Sequence, residues 1–224
     1  MKTLDFAPIL LAAGIALAAE RFDHVVRNDF FLGFAGNQEA LARGMKTCEK
    51  ILAEDPNHSE ALVWHGSGLW GQAGAAFQRG DREAGMELSQ KGLAEMDKAV
   101  ALAPDNIGVR IPRGASLLAG ARAMRDSPFR RSLFERALSD HQRAYELQKE
   151  HIDGLGDHPK GELLFALADT NSRLGSSEEA EKFFRMILAK LPGSVYAKRA
   201  SAWIESRAPL PLSQTGCVGC HASS

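Results

Sequence analysis

The chain has 224 residues, 45 % hydrophobic and 25 % charged, with a formal net charge of −1. This composition suits one large soluble domain or an elongated array, and the charge balance excludes nucleic acid or an anionic membrane as an electrostatically driven partner. Strand-like alternation of Val, Ile, Thr and aromatics is nearly absent and Ala, Leu, Glu, Lys, Arg and Gln dominate, so an all-α fold is expected.

Residues 1–19 read as a secretory signal peptide. Lys2 supplies a short basic end, and fourteen apolar residues from Phe6 to Ala19 follow, closing on Ala16-Leu17-Ala18-Ala19. That run is short for a bilayer span. A buried first helix or an uncleaved anchor are the other readings. The expectation is export to a bacterial periplasm or a comparable compartment, with no membrane insertion after cleavage.

From about Gly36 a phrase recurs in which an apolar helix end meets Pro and polar residues. It reads Ile51-Leu52-Ala53-Glu54-Asp55-Pro56-Asn57-His58, then Val100-Ala101-Leu102-Ala103-Pro104-Asp105-Asn106, then Ile187-Leu188-Ala189-Lys190-Leu191-Pro192-Gly193-Ser194. Each helix stops before a proline that cannot continue it, and Asn, Asp or Ser nearby can cap the next one. His58 reads as part of that capping turn.

On these residues the chain resembles the tetratricopeptide repeat (TPR) family over roughly residues 36–206. Gly66 with Leu69, and Gly114 with Leu117, match the family's glycine and aromatic places in a first helix. Leu167-Ala168, Gly175, Ala180, Phe184 and Pro192 form the clearest unit. The resemblance implies antiparallel helix pairs of about 34 residues stacked into an α-solenoid. Pro56 and Pro104 stand 48 apart, and Pro104 and Pro192 stand 88 apart. Longer helices or larger loops are therefore expected, with three to four irregular pairs over residues 20–206. Ser127-Pro128 and Gly154-Leu155-Gly156 mark loops.

In such an array the first helices line a concave groove that holds a protein partner. By this alignment Trp70, Phe165, Asp169 and Arg173 point into it, with a plain packing role open for Trp70 and Phe165. Tyr196, Ala200 and Trp203 recur at helical spacing, which predicts a capping helix with Lys198 and Arg199 on its wet face. Residues 207–224 are then a Pro-containing, extended tail. From Arg207 to Gly216 it can reach about 33 Å, enough to fold back or to enter a partner.

The tail carries Cys217-Val218-Gly219-Cys220-His221, which resembles the attachment motif of c-type cytochromes. Cysteines three apart can each form a thioether to a haem vinyl group, and the next histidine can ligate the iron. A dithiol, half a zinc site or a disulfide are the alternatives, although no second Cys-x-x-Cys completes a zinc site. One covalent haem c on Cys217, Cys220 and His221 is expected, with His221 as the metal ligand. Only Ala222, Ser223 and Ser224 follow the motif in this chain, so a cytochrome c domain wrapped around its haem is not expected. A sixth ligand could come from His65, His141, His151, His158 or Met124. Cys48 reads as a buried free thiol; a bridge to Cys217 or Cys220 would compete with haem.

No catalytic constellation, phosphate loop or dinucleotide fingerprint occurs, so no enzyme activity is expected. Glu178, Glu179 and Glu181 read as a solvated helix face, as do Arg130 and Arg131, unless the arginines dock an acidic partner. Two functions are compatible: electron transfer with a redox protein held by the repeats, or a periplasmic scaffold or assembly protein whose tail binds metal or is marginal.

Overall fold

The computed structural model describes residues 21–215, and the candidate signal peptide lies outside them. The described residues contain nine α-helices, two short 3-10 segments and no strand, so the protein is all-α. The helices are α1 (Phe22–Phe34), α2 (Gln38–Glu54), α3 (Ser59–Gln78), α4 (Arg82–Leu102), α5 (Ile107–Ala123), α6 (Pro128–Gln148), α7 (Asp157–Leu174), α8 (Ser177–Lys190) and α9 (Val195–Ser206). The 3-10 segments are Lys149–Gly154 and Leu212–Gln214.

The helices pack as four hairpins, α1 with α2, α3 with α4, α5 with α6 and α7 with α8, and α9 covers the end. The first helix of each hairpin also touches the first helix of the next: α1 meets α3, α3 meets α5, and α5 meets α7. Consecutive hairpins therefore share one continuous interior. Helix α1 lies ahead of the stretch in which the phrase repeats, and α2 lies within it.

The proline phrases end helices as the sequence predicts. Helix α2 stops at Glu54 before Pro56, α4 at Leu102 before Pro104, and α8 at Lys190 before Pro192. The wide proline spacing comes from helix length: α3 and α4 run 20 and 21 residues. In the second gap the 3-10 segment Lys149–Gly154 adds to the 21 residues of α6. His58 caps α3 by accepting the Ala61 N–H on Nδ1 at 3.1 Å. Asn106, Ser127 and Ser194 cap α5, α6 and α9 through side-chain oxygens. Each such cap is worth about 1 kcal/mol.

Two packed clusters form the core. One joins Phe30, Trp64, Trp70, Met96, Leu117 and Phe134. The other joins Leu164, Phe165, Phe184, Tyr196, Trp203 and Leu210. The last of these lies beyond α9, so the tail contributes to the core. Cys48 is fully buried and free, and burial first, then the Glu95 and Glu49 charges, push its thiol up to about 12.

Candidate functional site

Cys217, Cys220 and His221 lie outside the described residues, but the chain leading to them does not. Arg207 ends α9 in the left-handed region at φ 55°, turning the tail back toward the array. Its guanidinium pairs with Glu181 and lies 5.4 Å from the Trp203 ring centroid. Hydrogen bonds from Arg207 and Arg185 hold the Glu181 carboxyl down at about 2. Glu181 is therefore an anchor for the tail, which corrects its reading as a plain solvated face. Leu210 then enters the core at 4 % exposure, and the segment Leu212–Gln214 brings Thr215 to 4 % exposure.

Two arginines and one aspartate hold this segment. Arg173 of α7 donates through Nη2 to the Leu210 carbonyl at 2.7 Å and through Nε to Asp169 Oδ2 at 2.9 Å. Arg122 of α5 donates to the same Oδ2 through Nε and Nη2, at 2.9 and 2.7 Å. Its Nη1 donates to the Thr215 carbonyl at 3.0 Å. Burial lowers the affinity of the Arg122 guanidinium for its proton, against the pull of Asp169. Over residues 207–215 the tail is thus seated on α5, α7 and α9, which corrects the expectation of a simple extended linker.

Asp169 is the hub. It is 1 % exposed, and both arginines use Oδ2, which leaves Oδ1 buried with no hydrogen-bond partner among the described residues. A buried carboxylate oxygen without a donor costs on the order of 1–3 kcal/mol. One turn earlier Phe165 lies between two guanidinium groups, Arg122 at 5.9 Å and Arg199 at 5.1 Å from its ring centroid.

The residues expected in a groove separate into two kinds. Asp169 and Arg173 are beneath the tail. Trp70 and Phe165 belong to the core: Trp70 Nε1 donates to the Ser116 carbonyl at 3.1 Å, and Phe165 meets Phe184 edge-on at 6.2 Å. Their exposures are 8 % and 3 %, so neither lines a groove. Arg199 is half-buried against Phe165 rather than on a wet face. Arg130 likewise donates to the Ala121 carbonyl at 3.0 Å and covers Phe134, while Arg131 pairs with exposed Glu135. Arg122, which holds the end of the tail, was not singled out by sequence reasoning. An arginine in the last turn of a helix reads as an exposed cation, and no local pattern marks its partners.

The candidate sixth ligands are dispersed. His65 sits between Glu95 and Glu49 on the α2–α4 side, where burial opposes its charge but the two carboxylates outweigh it and raise its pKa. His141 is buried under Gly114, donates through Nδ1 to the Ala137 carbonyl at 2.8 Å and is kept neutral by burial. His158 engages the Tyr196 hydroxyl at 3.0 Å, and His151 is exposed. Met124 is half-buried at the end of α5, two residues past Arg122. Among the described residues no group of three or more His, Cys, Asp or Glu is placed to hold a metal ion, and no helix is long and apolar enough to cross a membrane.

No family model, curated protein or solved structure significantly matches the chain.

One feature of the described residues bears on what the tail could bring here. The unpartnered Asp169 Oδ1 suits a further donor.

Proposed function

We propose that this chain is an exported helical-hairpin protein that carries one covalent haem c on Cys217 and Cys220, with His221 on the iron. It exchanges electrons with a docked redox protein. The bound haem supplies a one-electron couple, the iron cycling between the ferric and ferrous states. The chain's own residues hold the segment that leads to the motif. The motif begins two residues after Thr215, a stretch of chain that spans at most about 7 Å.

The observation that carries this reading is the seating of Thr215 by Arg122 at 3.0 Å. A tail that served only as a flexible tether would not need two half-buried arginines and a buried aspartate to hold it, nor a buried leucine of its own. The helical array offers a rigid body for the partner, and the Arg122–Asp169–Arg173 cluster holds the tail against it. Met124 and the histidines remain the intrinsic sources of a sixth ligand.

The test is a reduced pyridine haemochrome spectrum of protein exported by a host with haem-attachment machinery. A c-type spectrum that survives denaturation supports the reading. Cys217→Ala with Cys220→Ala then removes the haem while far-UV circular dichroism stays helical. A colourless wild-type protein from that host rejects haem and favours a scaffold whose tail binds metal or is marginal.

A further inference from the structure

We infer that the face of α5, α7 and α9 that holds residues 208–215 is an interface between two copies of this chain, in which each copy seats its tail on the other. The exchange needs no haem, so it stands or falls apart from the function proposed above. Every contact that holds the tail is one that a second copy can make unchanged. Leu210 packs in the cluster that includes Phe165, Phe184 and Trp203. The half-buried guanidinium groups of Arg173 and Arg122 donate to the main-chain carbonyls of Leu210 and Thr215 at 2.7 and 3.0 Å. A second copy presents the same leucine and the same carbonyls. Exchange therefore keeps the clasp and changes only the hinge that leads into it.

The hinge favours opening. Elsewhere among the described residues the chain turns left-handed on glycine, at Gly36, Gly80, Gly175 and Gly193. At the end of α9 it does so on Arg207, at φ 55°, the one non-glycine residue with positive φ among those described. A side chain there crowds its own backbone, and straightening the residue relieves the crowding. The bend is held by an exposed ion pair with Glu181 and by the Trp203 ring, and exposed pairs add little. Pro209 and Pro211 bias the next residues toward an extended path, which Pro211 follows at φ −63° and ψ 154°. Little further freedom is lost when the tail points away from its own body. Arg207, Ala208 and Pro209 span about 10 Å when straight, so the second copy approaches the end of α9 closely. The charges beside it are of both signs, Glu179 with Lys182 and Glu181 with Arg185, so no single-sign field opposes that approach. Short hinges under strain invite this kind of exchange.

The experiment uses the full-length protein, kept reduced so that no cysteine bridge joins two chains. Concentrated protein is passed through mild urea, returned to buffer and sized by light scattering on a column. The wild type yields a dimer that persists on dilution, because leaving it means opening both clasps. In a mixture of 13C-labelled and unlabelled copies, isotope-filtered NOEs run from the Leu210 methyls of one copy to core protons of the other. Two hinge variants test the cause. Arg207→Gly and Arg207→Val both lose the guanidinium, but glycine accepts the left-handed turn and valine resists it. At equal concentration the dimer-to-monomer ratio is roughly tenfold or more higher in Arg207→Val. Equal ratios in the two variants overturn the inference. So does a dimer with no NOE between copies at Leu210, which joins through another face. A wild type that stays monomeric throughout overturns it even where a variant fails to fold. If that monomer takes up a synthetic peptide of residues 208–215, the second copy is rejected as occupant in favour of an extended segment of another protein.

Discussion

Arg173 meets Asp169 with one nitrogen and the Leu210 carbonyl with another, so a single side chain joins helix, hub and tail. Arg173→Ala should cost about 3 kcal/mol, because it leaves a buried carboxylate half-neutralised and a carbonyl without its donor. Urea denaturation reads the loss, and a protease should cut after Arg207 sooner than in the wild type. Cys48 makes a different prediction. With its thiol pushed from 9.0 to about 12, it should resist thiol reagents at pH 8 until the chain unfolds. The unfolded thiol ionises first, so stability is flat below pH 9 and falls as pH rises toward 12. Two histidines oppose each other in acid. His141, its pKa lowered by burial, withdraws stability as pH falls through the ordinary histidine value near 6.5. His65, raised by Glu95 and Glu49 against its burial, gains stability as pH falls toward 6.5 and keeps it below. His65→Gln should therefore lower stability by an amount that is constant below about pH 6.5 and shrinks as pH rises above it, as measured by chemical denaturation at each pH.

Helix α3 approaches α4 through two glycines. A Cβ on Gly66 would stand 2.7 Å from the Gly92 carbonyl oxygen, and one on Gly92 would stand 2.6 Å from that of Gly66. Alanine at Gly66 would gain up to about 1 kcal/mol in helix propensity, yet the backbone-to-backbone clash forces the helices apart at about 1–3 kcal/mol. The clash wins because a carbonyl in a helix cannot rotate away. Gly66→Ala should lower the urea midpoint, whereas Gly74→Ala, with open space around it, should not. Gly66 was legible in the sequence as a helix-packing glycine because it stands a fixed distance past the Pro56 phrase. Gly92 was not, since it precedes the Pro104 phrase with no patterned neighbours. Helix ends were legible because prolines and capping side chains act over four residues or fewer. Helix lengths in the first wide interval were not, because no proline interrupts α3 or α4 to show whether the extra residues extend helices or loops.

The hairpins were readable from local rules, and the place where the tail binds was not. Arg122 is 47 residues from Asp169 and 93 from Thr215, and nothing local in any of the three announces the others. The same reasoning covers Arg199 and Arg130, whose aromatic neighbours come from other helices or from a later turn of their own. At this scale the expected outcome of ending the chain at Ser206 is an intact array with a wound. Far-UV circular dichroism should be preserved, while stability drops by about 1.5–3 kcal/mol for the lost burial of Leu210, with fraying concentrated in α9. Loss of all helical signal would mean that the tail is an integral strut and not an added clasp. The 93-residue interval between Arg122 and its carbonyl partner also sets an order in time. The clasp can close only after α5, α7 and α9 have found one another, because its parts do not exist as a surface before then. On the proposed haem reading, attachment at Cys217 and Cys220 during this interval would come before the clasp on Leu210 and Thr215 closes.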